Sequence, residues 1–492
     1  MTLTVVKVGG GLLDGPADLD AVVRALVGRR RKGARLLVVV SALKGVTDSL
    51  ESAAGDALDP RAGGELVRTL VENLRQRHAA LAVGRPGADA LLLGMRRALD
   101  GVDRLLTGIR LTGELTERTR DLLLAHGERL SAPLLAEALR VGGVDARAVT
   151  AEEAGLVARG PFGLGRCDVE ASRESLQALL HELHDRVIVL TGFYGVNRDG
   201  DVVLFGRGGT DYTAGVVAAG LDADALELWK DVPGFMSADP RAVPCARLVP
   251  ELSFAEACEL GYYGARILHP RCLEPLRGNR QEISLRSVND VDTVGTRIVE
   301  RRSGATSGVA ALAHRPGVAV VRVEGATMVN QPGVAGRVFG ALGQAGVNID
   351  AIASSMTSIS FTVDEEQIAL VRRSLRLLQE EEQGVIEHLE IRRGVVLIGV
   401  VGDGVASDPT VAARMLGALQ ELGEAAELIS HGPGDVGLSC AVPESEQERV
   451  LALLHEAFFA EDRPSDVGPV GAARRELRPS AEQSGRLGGA AR

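Results

Sequence analysis

The sequence predicts an α/β fold followed by two copies of a smaller α+β unit. Three observations carry that expectation. Continuous apolar runs such as Val187 to Gly192 have the composition of parallel strands covered on both faces. The stretch from Asp201 to Gly220 reads as a strand, a glycine turn and an Ala/Val-rich helix. A unit of strand, helix, glycine turn, strand, strand and helix then recurs at an offset of 77 residues, from position 321 to position 398. At 492 residues the chain is too long for one core, so two to four domains are expected.

The totals exclude several classes. Nine Phe, four Tyr and one Trp are too few for a base-stacking surface, and a net charge of −11 opposes a phosphate backbone. No nucleic-acid partner is expected. No window approaches the ~20 uninterrupted apolar residues of a membrane span. Cys167, Cys245, Cys258, Cys272 and Cys440 are scattered, odd in number and without a CxxC pair. They fit a reducing compartment better than a disulfide framework or a protein-held metal site. The start MTLTVVKVGGG lacks the charge and apolar length of a secretion signal. A cytoplasmic protein is expected.

The glycine turn is the first candidate site. Gly206, Gly208 and Gly209 precede a helix whose free N–H groups suit an anion, and Thr210 or Asp211 is expected to cap it. Arg207 adds a planar fork suited to a carboxylate or phosphate. Leu3 to Val8 is an apolar strand running into Lys7-Val-Gly-Gly-Gly11, where a lysine can meet phosphate oxygens. Arg35 to Val40 is the next strand, followed by Ser41-Ala-Leu-Lys-Gly-Val-Thr-Asp48, with Ser41 a candidate helix cap. Asp56 to Asp103 is helical in pattern, with breaks at Pro60 and Pro86. Glu128, at the start of an apolar helix, suits a substrate ammonium, whereas His126 beside it has no assigned role.

Downstream, Ala225 to Trp229 forms a strand ending in Lys230-Asp-Val-Pro-Gly-Phe-Met-Ser-Ala-Asp-Pro-Arg241. Leu252 to Leu260 reads as an amphipathic helix leading to Gly261-Tyr-Tyr-Gly-Ala-Arg-Ile-Leu-His-Pro-Arg271, and Arg301 to His314 reads as a linker. The expected domains are residues 1–300, 315–390 and 395–462, with 463–492 a Gly/Ala/Pro/Ser/Arg-rich disordered tail.

In the Arg207-Gly-Gly-Thr-Asp211 segment, and in the Lys7, Ser41, Glu128, Lys230 and Gly261 stretches, the chain resembles the amino-acid kinase superfamily and, within it, the aspartate kinases. The resemblance implies a three-layer αβα domain of the carbamate-kinase-like kind followed by two ferredoxin-like ACT domains. It implies ATP and Mg2+ as cofactors and L-aspartate as substrate. Lys7 and Asp211 would be catalytic, with Lys7 on the moving phosphoryl group. Ser41, Thr47, Glu128, Phe193, Arg207 and Thr210 would bind the amino acid. Lys7, Gly9, Gly10, Gly208, Gly209, Lys230, Asp231, Met236, Arg241 and Arg266 would meet the nucleotide.

The family pattern is broken at Gly11 and Leu12, where hydroxyl residues are usual. Lys230 replaces a threonine, Met236 an aromatic residue and Arg266 a lysine. In the first repeat Gly333, Ala335, Asn348 and Asp350 match the effector region, with lysine or threonine left open as effector. A homo-oligomer built through the ACT domains is implied, as is a place in lysine, threonine and methionine biosynthesis. No fused homoserine dehydrogenase is expected after the repeats. Two alternatives stand: a kinase of the same fold acting on another carboxylate, and a non-catalytic ACT-containing regulatory protein.

Overall fold

A computed structural model describes residues 2–59, 63–82, 88–263, 268–302, 308–325, 331–381, 386–423, 425–431 and 436–460. The 463–492 tail and Arg266 lie outside them.

The first half is built on an eight-stranded sheet, in the order 251–253, 296–299, 282–287, 225–230, 3–8, 35–40, 187–191, 146–149. The six strands from 282–287 to 146–149 run parallel, and 296–299 turns antiparallel at one side. Leu3–Val8 is buried at every position and Val187–Thr191 likewise, as continuous apolar runs require in a sheet covered on both faces. Strand alternation sorts the layers. Val5, Lys7, Leu226 and Leu228 share the face that packs under helix Gly209–Gly220. Glu227 and Trp229 share the other, where Arg29 of helix Pro16–Arg31 pairs with Glu227. Arg286 reaches the same carboxylate at 3.2 Å and the Trp229 indole N–H donates to it at 3.0 Å.

Leu3–Val8 lies at the centre, with the next strand on one side and Ala225–Lys230 on the other. The strand order therefore reverses beside it, and ligands of open α/β sheets bind outside the carboxyl ends at such a point.

Local expectations need some correction. Helix Gly209–Gly220 is capped by Gly208 at φ +73°, and Thr210 and Asp211 fall inside its first turn. Helix Val46–Asp56 is likewise capped by Gly45 at φ +75°, so Ser41 is no helix cap. Val202–Leu204 pairs only with Tyr194–Val196, as a hairpin beside the main sheet. The predicted amphipathic helix begins at Phe254, because Ser253 and Glu256 form a capping box there.

The second half is a six-stranded antiparallel sheet, ordered 352–354, 358–364, 311–324, 388–401, 437–443, 428–431. The two repeats share two 14-residue strands, Ala311–Glu324 and His388–Val401. The short strands expected at 321–325 and 398–402 are largely parts of these long ones. Helices Val334–Gln344 and Ile368–Glu381 cover one end over a core that includes Val321, Val338 and Phe361. Helices Pro409–Leu422 and Gln447–Phe459 cover the other, over Val396, Ile398, Met415 and Leu454. Leu312 belongs to this second core, so Ala311–His314, expected in a linker, is strand instead.

The halves are tied together. Ala238 and Val243, from the loop after Lys230, join the second repeat's core, and Ser237 Oγ lies 2.9 Å from His455 Nε2. Glu256 accepts from the Asp403 N–H at 2.7 Å. Among the described residues no helix is long and apolar enough to cross a membrane.

Candidate active site

Four strand ends converge on one cleft. The strand holding Lys7 turns at Gly9 into a short 3-10 helix, Gly10–Leu13. A Cβ on Gly10 would lie 2.3 Å from the Ala42 carbonyl oxygen, so glycine lets the first two strand ends close on each other. Gly208 combines positive φ with an equally close approach: its Cβ would fall 2.1 Å from the His269 ring. That contact seats the glycine turn against the segment Pro270–Leu276.

A cavity of about 270 Å³ opens there. Lys7, Ser41, Thr47, Glu128, Phe193, Gly208, Gly209, Thr210 and Asp211 line it, drawn from five separate stretches of sequence. Lys44 and Asp48 line it as well. Lys7 Nζ meets Asp211 Oδ1 at 2.6 Å, and the other Asp211 oxygen accepts from the His269 N–H at 3.3 Å. Burial would raise the Asp211 carboxyl, but the Lys7 and Lys230 ammoniums overcome that and hold it at about 2. The Asp211 carboxyl is therefore ionised at neutral pH.

Glu128 is 2 % exposed. One of its oxygens accepts from the Ala42 N–H at 3.1 Å, and the other, Oε2, has no hydrogen-bond partner. Burial pushes its carboxyl up to about 8, against that N–H and the more distant Lys7 charge. An unpartnered buried carboxyl oxygen in a cavity is a seat for an incoming cation. His126, two residues earlier, has its Nδ1 2.8 Å from the Leu122 carbonyl, and burial lowers it to about 4. It is a packed neutral imidazole.

Phe193 holds a left-handed backbone at φ +79°, rare for an aromatic residue. Thr213 Oγ1 accepts its N–H at 3.0 Å, and its carbonyl accepts from Phe205 at 2.9 Å. These bonds clamp the cavity wall onto the hairpin that leads to Arg207. Arg207 itself is exposed.

The nucleotide-side residues are less gathered. Asp231 is exposed, and Met236 is half-buried in a bridge to Leu248. Arg241 is exposed and bonded to Asp239 at 2.7 Å. These three do not line the cavity. In the repeats, Gly333 caps helix Val334–Gln344 and Ala335 is exposed beside it. Asp350 is held by Arg315 at 2.9 Å, by Asn348 at 3.1 Å and by the Tyr262 hydroxyl of the first half.

Sequence reasoning missed Arg271. Its guanidinium donates to the Phe205 and Gly165 carbonyls and stacks 4.7 Å over the Tyr212 ring, pinning the glycine turn. An arginine just past a His-Pro turn carries no signal of that reach.

Comparison with known proteins agrees with this geometry. Residues 2–287 match the amino acid kinase family, and residues 321–377 and 398–458 match the ACT domain. The chain belongs to the amino acid kinase family.

Within it, the chain is similar to aspartokinases. It is 32 % identical to Aspartokinase 1, chloroplastic, of Arabidopsis thaliana over 73 % of this chain and 64 % of that protein. It is 30 % identical to the bifunctional aspartokinase/homoserine dehydrogenase of Haemophilus influenzae, over 75 % and 45 %. It thus spans less than two thirds of either. Among solved structures it is similar to E. coli aspartokinase III in complex with aspartate and ADP. The TM-score is 0.79 at 26 % identity, covering 93 % of this chain and all of that one. The same enzyme in complex with lysine and aspartate gives a TM-score of 0.77, also at 26 % identity.

Proposed function

We propose that the protein is an aspartate kinase, transferring the γ-phosphoryl group of ATP to the β-carboxylate of L-aspartate to give 4-phospho-L-aspartate and ADP. One observation carries the reading: a buried Lys7–Asp211 salt bridge shares a cavity with an unpartnered Glu128 carboxyl oxygen at the strand-order reversal. A lysine and free helix N-terminal amides suit the charge of a moving phosphoryl group, and Glu128 suits an α-ammonium. The aspartokinase III complex with aspartate and ADP supports the same substrates.

The substrate β-carboxylate is ionised at neutral pH and needs no general base. Phosphoryl transfer then rests on alignment and charge neutralisation. Arg207, Ser41, Thr47 and Thr210 orient the acid, with Phe193 as a wall. Lys7 and the Gly9, Gly10, Gly208 and Gly209 amides face the phosphates. Asp211 aims the Lys7 ammonium through their salt bridge. Asp231, Met236 and Arg241 lie on the base and ribose side. With Asp211 engaged by Lys7, Mg2+ would be held mainly by the nucleotide's own phosphates and would supply further neutralisation of their charge.

The product places the enzyme at the head of aspartate-family amino-acid synthesis, in a reducing, cytoplasm-like compartment. We assign the first repeat an amino-acid effector role around Gly333, Ala335, Asn348 and Asp350, with lysine favoured by the aspartokinase III complex and threonine the alternative. The repeats also supply a homo-oligomer interface. ATP-dependent hydroxamate formation from aspartate, glutamate and other small acids tests the reading. Turnover on aspartate supports it. Turnover on another acid alone points to a different kinase of this fold, and nucleotide binding without turnover points to a regulatory protein.

A further inference from the structure

Lys230 stands at the end of strand Ala225–Lys230, where the family pattern has an uncharged threonine. The adjacent strand runs parallel to it, with Lys7 opposite Leu228 and Val8 opposite Trp229. Alternation therefore puts Lys7 and Lys230 on one face of the sheet, as diagonal neighbours on adjoining strands. Helix Gly209–Gly220 covers that face and presents Asp211 from its first turn. The groups that act on the Lys230 ammonium come from every element around it. Lys7 belongs to the neighbouring strand, Asp211 to the helix, Cys272 to the Pro270–Leu276 segment, and exposed Asp231 to its own loop.

Lys7 takes the ion pair to Asp211 at 2.6 Å. Among the described residues no ion pair or hydrogen bond of the Lys230 side chain accompanies it. Cys272 is a fully buried thiol whose ionisation burial opposes, so it adds no charge. Two ammoniums thus face one buried carboxylate, which leaves a positive charge without a buried counterion. Burial and the Lys7 charge together push Lys230 down to about 8. An uncompensated cation beside a cavity that already suits a phosphoryl group is an incomplete anion site.

We propose that Lys230 is a second cation for the triphosphate tail, acting beside Lys7 and taking its full charge when the nucleotide binds. The inference rests on the nucleotide-dependent reading above and adds a residue that threonine-bearing relatives lack. Anionic phosphate returns the ammonium towards its ordinary range, so binding above pH 8 takes up a proton. Below about pH 7 Lys230 is already charged and the uptake vanishes. Glu128 and the nucleotide's own phosphate also titrate in this range, so the contribution of Lys230 is read as a difference between variants.

The test is calorimetric titration of the full chain with ATP in buffers of different ionisation enthalpy, at pH 6.5 and pH 8.5. Wild type, Lys230→Thr and Lys230→Arg are compared. At pH 8.5 wild type should take up up to about one proton more than either variant. Above pH 8 its Kd should weaken by up to about tenfold per pH unit relative to that of Lys230→Arg, which is always charged. Lys230→Thr should bind about tenfold or more weakly at pH 6.5. Equal uptake and equal affinity in all three would overturn the role of Lys230, even if aspartate is turned over. Wild type that binds no ATP at either pH would overturn both this role and the kinase reading.

Discussion

The ammonium of Lys7 and the carboxylate of Asp211 meet at 2.6 Å, with at most a tenth of either side chain open to solvent. They come from distant parts of the first half: the first strand, and the helix that begins after the glycine turn. The pairing gives the buried ammonium a counter-charge. It also fixes the direction in which a single cation points into the cavity.

Replacing Lys7 by alanine should lower turnover about 10²–10³-fold, the usual cost of one transition-state charge donor. The KM for aspartate should change little, since the proposed function sets Lys7 against the phosphates and Glu128 against the amino acid. Steady-state kinetics of aspartyl hydroxamate formation would decide the point. A raised aspartate KM with turnover intact would move Lys7 to the wrong substrate.

Glu128 makes the protein pH-sensitive in a defined direction. Its folded carboxyl is raised to about 8 from an ordinary 4.5. Its contribution to stability is complete below about pH 4.5, declines as pH rises, and is fully lost above 8. Glu128→Gln cannot ionise, so it should be the more stable protein at pH 8.5, by an amount on the order of a few kcal/mol. It should also bind aspartate more weakly at pH 8.5, where the wild-type carboxyl carries the charge that meets the ammonium. Denaturant melts at pH 5 and 8.5 check the first outcome and substrate titration the second.

Glu227 tests the sheet rather than the cleft. Its buried carboxylate serves Arg29, Arg286 and the Trp229 indole. Glu227→Ala takes this carboxylate away from buried Arg286 and half-buried Arg29 and should cost about 3–5 kcal/mol in a denaturation experiment. A loss under 1 kcal/mol would mean that water enters this layer.

His455 carries the contact between the second repeat and the loop after Lys230. It bonds to Ser237 at 2.9 Å, beside Cys245 Sγ at 3.6 Å from the other ring nitrogen. His455→Ala should raise the KM for ATP several-fold and leave that for aspartate unchanged, because the proposed function sets the loop it steadies on the nucleotide side. Equal changes in both would indicate general loosening instead.

Much of this was legible in the sequence, for physical reasons. Strands such as Val187–Thr191 are buried on both faces, so an unbroken apolar run marks them. The Lys7 and Arg207–Asp211 stretches stand out because glycine and charge fall together at strand ends. Caps were misplaced because Gly45 and Gly208 start their helices through left-handed backbone rather than a side-chain oxygen. The shared long strands were hidden because Ala311–Glu324 serves two cores in succession, and no local composition marks where one gives way to the other. Arg271, Phe193's backbone and the Tyr262–Asp350 contact depend on tertiary neighbours that no spacing rule reaches.

The central claim is that one cleft brings a nucleotide's terminal phosphate to a small amino acid's side-chain carboxylate. Incubating the protein with ATP labelled at the γ-phosphate and L-aspartate, then trapping acyl phosphate with hydroxylamine, tests it most directly. The account predicts aspartyl hydroxamate formed with equimolar ADP, and loss of both with Lys7→Ala. ADP released without hydroxamate, or hydroxamate formed equally by the Lys7 variant, would contradict it.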